Sequence, residues 1–168
     1  MKFEKVSLNQ FLKDYSKSNY YGRDLTEEEI KEATDYYNNI KLPKRSTSGS
    51  AGYDFFLPYD QFFSCMGDVL IPTGIRFKCD PDKFLMCVPR SGLGFKYGAA
   101  LKNTNGIIDS DYYNSDNEGH IMCKIRCSES FKLEKGKGFM QGIILSYFKV
   151  EDDESDSIRN GGFGSTGM

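Results

Sequence analysis

The sequence predicts a mainly β fold, a sandwich or barrel, with a small N-terminal helical hairpin and a flexible Gly-rich C-terminal tail. Residues 7–40 carry apolar side chains at helical spacing. After Pro43, short β-rich runs alternate with turns made of Gly, Ser, Pro and Asp. Half of the last ten residues, 159–168, are Gly or Ser. A length of 168 residues suits one domain with small appendages.

Two helix starts are indicated in the N-terminal part. Ser7 and Gln10 have the spacing of a capping box, and so do Thr26 and Glu29. The apolar faces that follow them comprise Leu8, Phe11, Leu12 and Tyr15, then Ile30, Ala33, Tyr37 and Ile40. We expect residues 1–40 to form a helical extension packed on the core. A dedicated partner-binding device is the alternative.

The β region is expected to span residues 41–150. Ile121 to Cys127 alternates apolar and polar side chains, which indicates a half-buried strand with Cys123 and Cys127 as small core residues. An acidic linker and the tail follow at 151–168. The predicted strands are Tyr53–Leu57, Val69–Ile71, Ile75–Cys79, Phe84–Val88, Ile107–Ile108, Ile121–Cys127 and Phe139–Val150.

Composition excludes several classes of function. A net charge of −2 argues against DNA or RNA as the main partner. The single histidine, His120, rules out a His-rich zinc site and leaves carboxylates, Arg and backbone amides as the catalytic tools. Five cysteines without a Cys-x-x-Cys pair, no signal peptide and no apolar run of membrane-spanning length predict a reduced, cytoplasmic protein that does not enter a membrane.

Two segments before residue 100 suit anion binding. Residues 49–54 place Asp54 at the start of a strand, although this segment taken alone is more simply explained as a turn in which Asp54 bonds to its own backbone. Residues 89–98 follow an apolar strand, and there Arg90, the Ser91 hydroxyl and the amides around Gly92 would suit phosphate oxygens. A plain strand-to-helix turn is the alternative for this second segment.

Two later segments suit base recognition and closure of a site. Asn105-Gly106 predicts a tight hairpin with Asn103 near its mouth, where a side-chain amide can contact a base edge. Asp109 follows two Ile residues and is a candidate general base, or else an ordinary loop Asp. The tail from 159 is a flexible end by composition, but its Arg and Phe also allow it to order over a ligand.

Together these segments resemble the five motifs of the trimeric dUTP diphosphatase (dUTPase) family. The matching stretches are 51–54, 89–94, 103–112, the region around 138–141, and 161–167. The resemblance covers residues 41–168 and implies a β jelly roll (β-clip) that forms a homotrimer with active sites at subunit interfaces. It implies hydrolysis of dUTP to dUMP and pyrophosphate, which limits uracil in DNA and supplies dUMP for dTMP synthesis.

The resemblance also implies roles for the residues of the base half. Asn103 and the backbone near Gly106 and Ile108 would pair with uracil. Tyr112 would pack under the deoxyribose and exclude a 2′-hydroxyl. Asp109 would orient and deprotonate the attacking water.

For the phosphate half, the resemblance implies that Asp54 holds a water of a Mg²⁺ ion chelated by the triphosphate. Mg²⁺ keeps several waters and needs few protein carboxylates, which agrees with the composition. Phosphate contacts would come from Arg90, Ser91, Gly92 and Gln141. In the tail, Phe163 would stack on uracil while Gly164, Ser165, Thr166 and Arg159 closed over the substrate and its terminal phosphates.

Some positions depart from the family pattern. A longer loop, 113–120, replaces the usual Arg-Gly-Glu after Tyr112, and we expect it to leave His120 exposed. Lys137-Gly138 stands where Asp-Arg is usual, so a local salt bridge is missing. Arg159 lies one residue closer to Gly161 than usual.

Two other functions fit parts of the sequence. A dCTP deaminase shares the phosphate motifs, but its relatives usually lack the Gly-Gly-Phe-Gly-Ser tail. A phage-type regulatory role, with a repressor protein as an additional partner, could use the helices of 7–40 or the loop 113–119.

Overall fold

The structure, a computed structural model, describes residues 1–155. In this part of the chain, eleven strands and three α-helices alternate with short loops, and a 3₁₀ helix spans Ser110–Asn114. The helices are α1 (Leu8–Asn19), α2 (Glu27–Asn38) and α3 (Ser91–Tyr97). The strands are β1 (Lys2–Lys5), β2 (Gly52–Phe56), β3 (Gln61–Phe63), β4 (Val69–Pro72), β5 (Ile75–Lys78), β6 (Lys83–Pro89), β7 (Ala100–Leu101), β8 (Gly106–Asp109), β9 (Met122–Arg126), β10 (Phe131–Leu133) and β11 (Gly138–Ser146).

All strand pairs are antiparallel, and together they form the β jelly roll that the resemblance implies. The largest sheet has the order β2-β11-β6-β8. A three-stranded sheet, β4-β9-β7, and two strand pairs, β1-β5 and β10-β3, complete the described part of the fold. The core between them is rich in aromatic side chains, among which Phe55, Phe63 and Phe77 are almost completely buried.

The four-stranded sheet has one face toward the core and one face outward. Leu85 and Cys87 of β6 and Gly142 of β11 are buried on the inner face. The directly paired residues on the outer face include Asp54, Gln141 and Val88, since opposite residues of antiparallel strands share a face. Toward its β2 edge, this outer face therefore carries the polar and ionisable side chains of Asp54 and Gln141.

Both predicted N-terminal helices are confirmed. The capping box at Thr26 and Glu29 is complete, because each side chain bonds to the backbone of the other residue. At the first helix the Ser7 hydroxyl accepts from the Gln10 amide, while the Ser7 amide donates to Glu118. Phe11 of α1 is completely buried, so the helix is packed on the core.

The turn before β8 lies earlier than predicted. Asn105-Gly106 was expected to form the tight turn, but the two-residue loop is Lys102-Asn103. A hydrogen bond of 3.0 Å from the Thr104 amide to the Leu101 carbonyl closes this loop. Thr104 has a φ of 68° and takes the left-handed conformation that the Asn-Gly signal suggested for Gly106. Gly106 instead begins β8, where its lack of a side chain leaves room for Cys87 of the neighbouring strand.

Two further expectations are corrected. His120 is completely buried rather than exposed, because helix α1 covers the loop in which it lies. The last strand ends at Ser146 instead of Val150, and the side chains of Phe148 and Val150 are exposed. Sequence analysis also missed β1, β3, β7 and β10, all of them short. No helix within residues 1–155 is long and apolar enough to cross a membrane.

Candidate active site

Asp54 and Gln141 lie side by side on the outer face of the four-stranded sheet. They are direct partners in the pairing of β2 with β11. Gly52 sits next to them, and a Cβ at this glycine would lie 2.3 Å from Oε1 of Gln141. A side chain at position 52 would therefore occupy the space that the Gln141 amide now fills.

Arg90 completes this group of polar side chains. It follows β6 directly and caps α3, so the strand end brings it beside Asp54, with Nε 3.2 Å from Oδ1. The other carboxylate oxygen of Asp54 accepts a hydrogen bond of 2.7 Å from the Ser46 hydroxyl. The Asp54 side chain is only 12% exposed, so these two partners hold it in one orientation.

A cavity of about 410 Å³ opens beside Arg90 at the start of α3. Its wall is made by Arg90, Ser91, Gly92, Leu93, Leu133, Lys137 and Gly138. The first amides of a helix have no intrahelical acceptor, and together with Arg90 and Lys137 they make this a place where anionic oxygens are favourable. Gly138 leaves room for the guanidinium, because a Cβ there would lie 2.8 Å from Nη1 of Arg90.

The residues expected to contact a base lie together at the opposite edge of the sheet. Asn103 is exposed in the turn before β8, and Gly106 and Ile108 belong to β8 itself. Asp109 ends β8 and is the N-cap of the 3₁₀ helix. The half-buried Asp109 carboxylate is therefore placed by the junction of a strand and a helix.

Tyr112 is nearly buried in the 3₁₀ helix, with 5% of its surface exposed. Its hydroxyl donates to the carbonyl of His120 over 2.8 Å and accepts from the Asn117 amide over 2.7 Å. These two contacts anchor the far end of the ring in the loop 113–120. The ring itself is thus held at a defined depth below the surface.

The two halves of the site are far apart within one chain. Asp54 aligns with Val88 through Gln141, whereas Asp109 pairs with Phe84 at the other end of β6. The Cα atoms of Asp54 and Asp109 are therefore about 20 Å apart, since four residues along β6 and three strand spacings across the sheet separate them. A general base must reach its water directly, so Asp109 lies outside the reach of the Asp54 group of the same chain.

Within residues 1–155, side chains alone form no cage for a metal ion, and the thiol of Cys87 is buried. This part of the chain contains no group of three or more His, Cys, Asp or Glu side chains that could hold a metal ion. Burial raises the pKa of Cys87 to about 12, so this thiol, close to Gly106, stays protonated at neutral pH. Five expected site residues lie outside the described residues: Arg159, Phe163, Gly164, Ser165 and Thr166.

Sequence analysis missed Ser46, which orients Asp54. A serine in a polar loop carries no local signal of this role, because the contact exists only once the loop lies beside β2. Lys137 was noted only as a departure from the family pattern, and the structure places it on the wall of the cavity.

Comparisons with known proteins agree with the motifs. The dUTPase family model matches residues 38–167. The chain is 40% identical over 140 residues to the deoxyuridine 5'-triphosphate nucleotidohydrolase of Lactococcus lactis subsp. lactis, covering 80% of this chain and 93% of that protein. The protein of the same name from Hahella chejuensis is 39% identical, with 77% and 89% covered.

Solved structures show the same fold. The crystal structure of dUTPase from Streptococcus mutans matches with a TM-score of 0.64 at 28% identity, covering 90% of this chain and 99% of that chain. A dUTPase from phage phi11 of S. aureus, whose structure describes a structural Mg(II) ion, matches at 0.59 with 16% identity, covering 71% and 92%. The latter likeness concerns the fold alone.

The close approach of Gly52 to Gln141 leads to a prediction. Gly52→Ala should displace the Gln141 amide and lower kcat/KM for the nucleotide substrate by about tenfold or more, because a hydrogen bond to a charged group contributes about 1.5–3 kcal/mol. Steady-state kinetics measure the effect. Gly49→Ala is the matched control, since a Cβ at Gly49 meets no atom within 4 Å. Equal kinetics for both variants would contradict the placement of Gln141.

Proposed function

The chain belongs to the dUTPase family and is a dUTP diphosphatase, and from that premise we propose that it splits dUTP into dUMP and pyrophosphate by Mg²⁺-assisted, in-line attack of water on the α-phosphorus. The observation that carries this proposal is the alignment of Asp54, Gln141 and Arg90 beside the cavity at α3. In the cell this reaction would limit uracil in DNA and supply dUMP for dTMP synthesis. We place it in the cytoplasm.

In this proposal the cavity beside α3 takes the phosphates. Ser91, Gly92 and Gln141 bind phosphate oxygens by hydrogen bonds, and the guanidinium of Arg90 offsets their charge. Phosphoryl transfer needs positioning and charge neutralisation more than covalent help from the protein. The rigid sheet on which Gln141 lies, and the orientation of Arg90 by Asp54, suit this task.

The residues around β8 recognise uracil and deoxyribose and position the attacking water. Asn103 and the backbone at Gly106 and Ile108 pair with uracil, and Tyr112 packs under the deoxyribose, where a 2′-hydroxyl has no space. Asp109 takes the proton from the water as it attacks. The tail residues close the site: Phe163 stacks on uracil, and Gly164, Ser165, Thr166 and Arg159 contact the substrate's phosphates.

The residues around Asp54 fit a Mg²⁺ ion that arrives with the substrate. A single carboxylate is a poor cage, and residues 1–155 contain no group of three or more His, Cys, Asp or Glu that could hold an ion, but Mg²⁺ commonly takes most of its ligands from phosphates and water. Each oxygen of Asp54 already has one partner and keeps further lone pairs, so it can accept from a metal-bound water. When bound, the ion neutralises the charge of the triphosphate.

We place the working enzyme in a homotrimer whose sites are shared between chains. Two features support this arrangement: the two half-sites lie about 20 Å apart in one chain, and the outer sheet face between them is apolar. Ile107 of β8 is 52% exposed and Leu145 of β11 is 36% exposed. The other apolar side chains on this face are Phe84, Met86, Val88 and Ile143. An apolar surface of this kind marks a protein interface.

Substrate preference is the first test of the proposed function. Pyrophosphate release is measured with dUTP, dCTP, dTTP and UTP, each with and without a chelator. We expect rapid turnover of dUTP alone, abolished by the chelator, because only dUTP meets both the uracil and the deoxyribose requirements. Comparable turnover of dTTP or UTP would refute the roles of Asn103 and Tyr112.

A second prediction concerns Asp109 as the general base. Asp109→Asn keeps the size of the side chain but cannot accept the proton, so kcat should fall by about 10²–10⁴-fold while dUTP binding changes little. Single-turnover kinetics and calorimetric titration separate the two effects. An active variant would show that Asp109 is not the base.

A third prediction tests whether sites are shared between chains. The inactive Asp109→Asn chain is refolded in equal amounts with a chain that carries Asp54→Asn and Gln141→Leu. If each site takes Asp109 from one chain and Asp54 from another, random mixing restores about a quarter of wild-type activity. Each variant refolded alone is the control. No recovery in mixed oligomers, verified by mass, would place the whole site in one chain.

A further inference from the structure

A completely buried hydrogen bond joins helix α1 to the loop that follows Tyr112. Nδ1 of His120 lies 2.7 Å from Oδ2 of Asp14, and both side chains are at most 1% exposed. The two residues are 106 positions apart, so this contact ties the N-terminal extension to the loop 113–120.

The contacts of the ring determine its protonation. The amide N–H of Gly74 donates to Nε2 of His120 over 2.8 Å, so this nitrogen carries a lone pair. The neutral ring therefore has its proton on Nδ1 and donates it to Asp14. Gln10 donates to the same carboxylate oxygen over 2.6 Å, and Lys17 pairs with the other oxygen.

Asp14 remains ionised in this buried position. Burial alone would raise its pKa, but the hydrogen bonds from His120 and Gln10 outweigh that effect and keep the pKa below its usual value. A charged acceptor makes the bond to His120 strong and directional. The imidazole is thus held at both nitrogens, by α1 on one side and by the turn between β4 and β5 on the other.

The backbone of His120 carries this constraint to Tyr112. The carbonyl of His120 accepts the Tyr112 hydroxyl, and the Ser115 hydroxyl donates to the Tyr112 carbonyl over 2.6 Å. The amide of His120 also donates to the carbonyl of Asn117, which closes the loop on itself. A shift of His120 therefore moves the anchor of the Tyr112 ring.

We propose that Asp14 and His120 are positioning residues that set the depth of the Tyr112 ring and thereby the discrimination between deoxyribose and ribose. The inference rests on the proposed function, in which Tyr112 packs under the sugar. It assigns a role in substrate selection to helix α1, which lies outside the stretch that resembles the dUTPase motifs.

The chain offers a matched pair of variants for the test. Asp14→Leu removes the acceptor and leaves the Nδ1 proton of His120 without its partner. Asp14→Asn is the control, because its side-chain oxygen can stay at the position where His120 and Gln10 converge. For each trimer, kcat and KM are measured with dUTP and with UTP at a temperature well below unfolding.

The informative quantity is the ratio of kcat/KM for dUTP to that for UTP. A purely structural role changes the amount of active enzyme, which cancels in this ratio. We expect Asp14→Leu to lower the ratio about tenfold, mainly through a higher kcat/KM for UTP, because a displaced Tyr112 ring leaves space for the 2′-hydroxyl, and we expect Asp14→Asn to keep the ratio within about twofold. An unchanged ratio in Asp14→Leu overturns the inference.

Two further measurements, a second variant and the activity of the wild type, separate failure of the inference from failure to fold and from failure of the proposed function. If Asp14→Leu yields no soluble trimer, the double variant Asp14→Leu/His120→Leu is measured instead, since replacing both partners by apolar side chains costs less stability than removing one of them. The same fall in the ratio is expected, and a wild-type ratio overturns the inference. A wild-type protein that does not hydrolyse dUTP overturns the proposed function itself, whereas an active wild type with insensitive variants overturns only the role of Asp14 and His120.

Discussion

The candidate site depends on the register of β11 between β2 and β6. This strand sets Gln141 opposite Asp54 on one side and opposite Val88 on the other. Because side chains alternate along a strand, a slip of one residue would turn Gln141 inward and put its neighbours outward. Gly142 helps to hold the register, since a Cβ there would lie 2.8 Å from Cδ1 of Leu85. The phosphate side is thus built on a sheet whose alignment leaves little freedom.

The sheet that aligns Asp54 with Gln141 also separates them from Asp109. β8 lies at the edge opposite β2, so Asp109 cannot approach Asp54 without breaking the pairing of β6 with its neighbours. A symmetric oligomer removes this conflict, because a half-site of one chain can face the complementary half-site of the next. The exposed Ile107, beside Asp109 on β8, would then be buried at that interface. The strand order β2-β11-β6-β8 therefore both fixes Asp54 beside Gln141 and requires Asp109 to come from another chain.

Local sequence signals predicted local structure well. The capping box at Thr26 depends on residues three apart, and the alternation around Cys123 depends on a single strand. Features that depend on distant residues were missed. The strand at Gln61–Phe63 exists through its pairing with Phe131–Leu133, and its three residues are too few for a pattern. The five motifs predicted site residues by resemblance, but the register that places Asp54 and Gln141 on one face was visible only in the sheet.

The burial of His120 shows most clearly why local reasoning fell short. A polar residue in a polar loop suggests exposure, and none of the acidic residues within ten positions of it is buried. Its partner, Asp14, lies on a helix whose apolar face predicted packing but not which loop it would cover. Burying a charged carboxylate is costly unless every polar atom is paired, and an apolar contact would hold the loop as firmly. What the polar pair adds is direction, because hydrogen bonds at both ring nitrogens fix the orientation of His120 and, through its carbonyl, that of Tyr112.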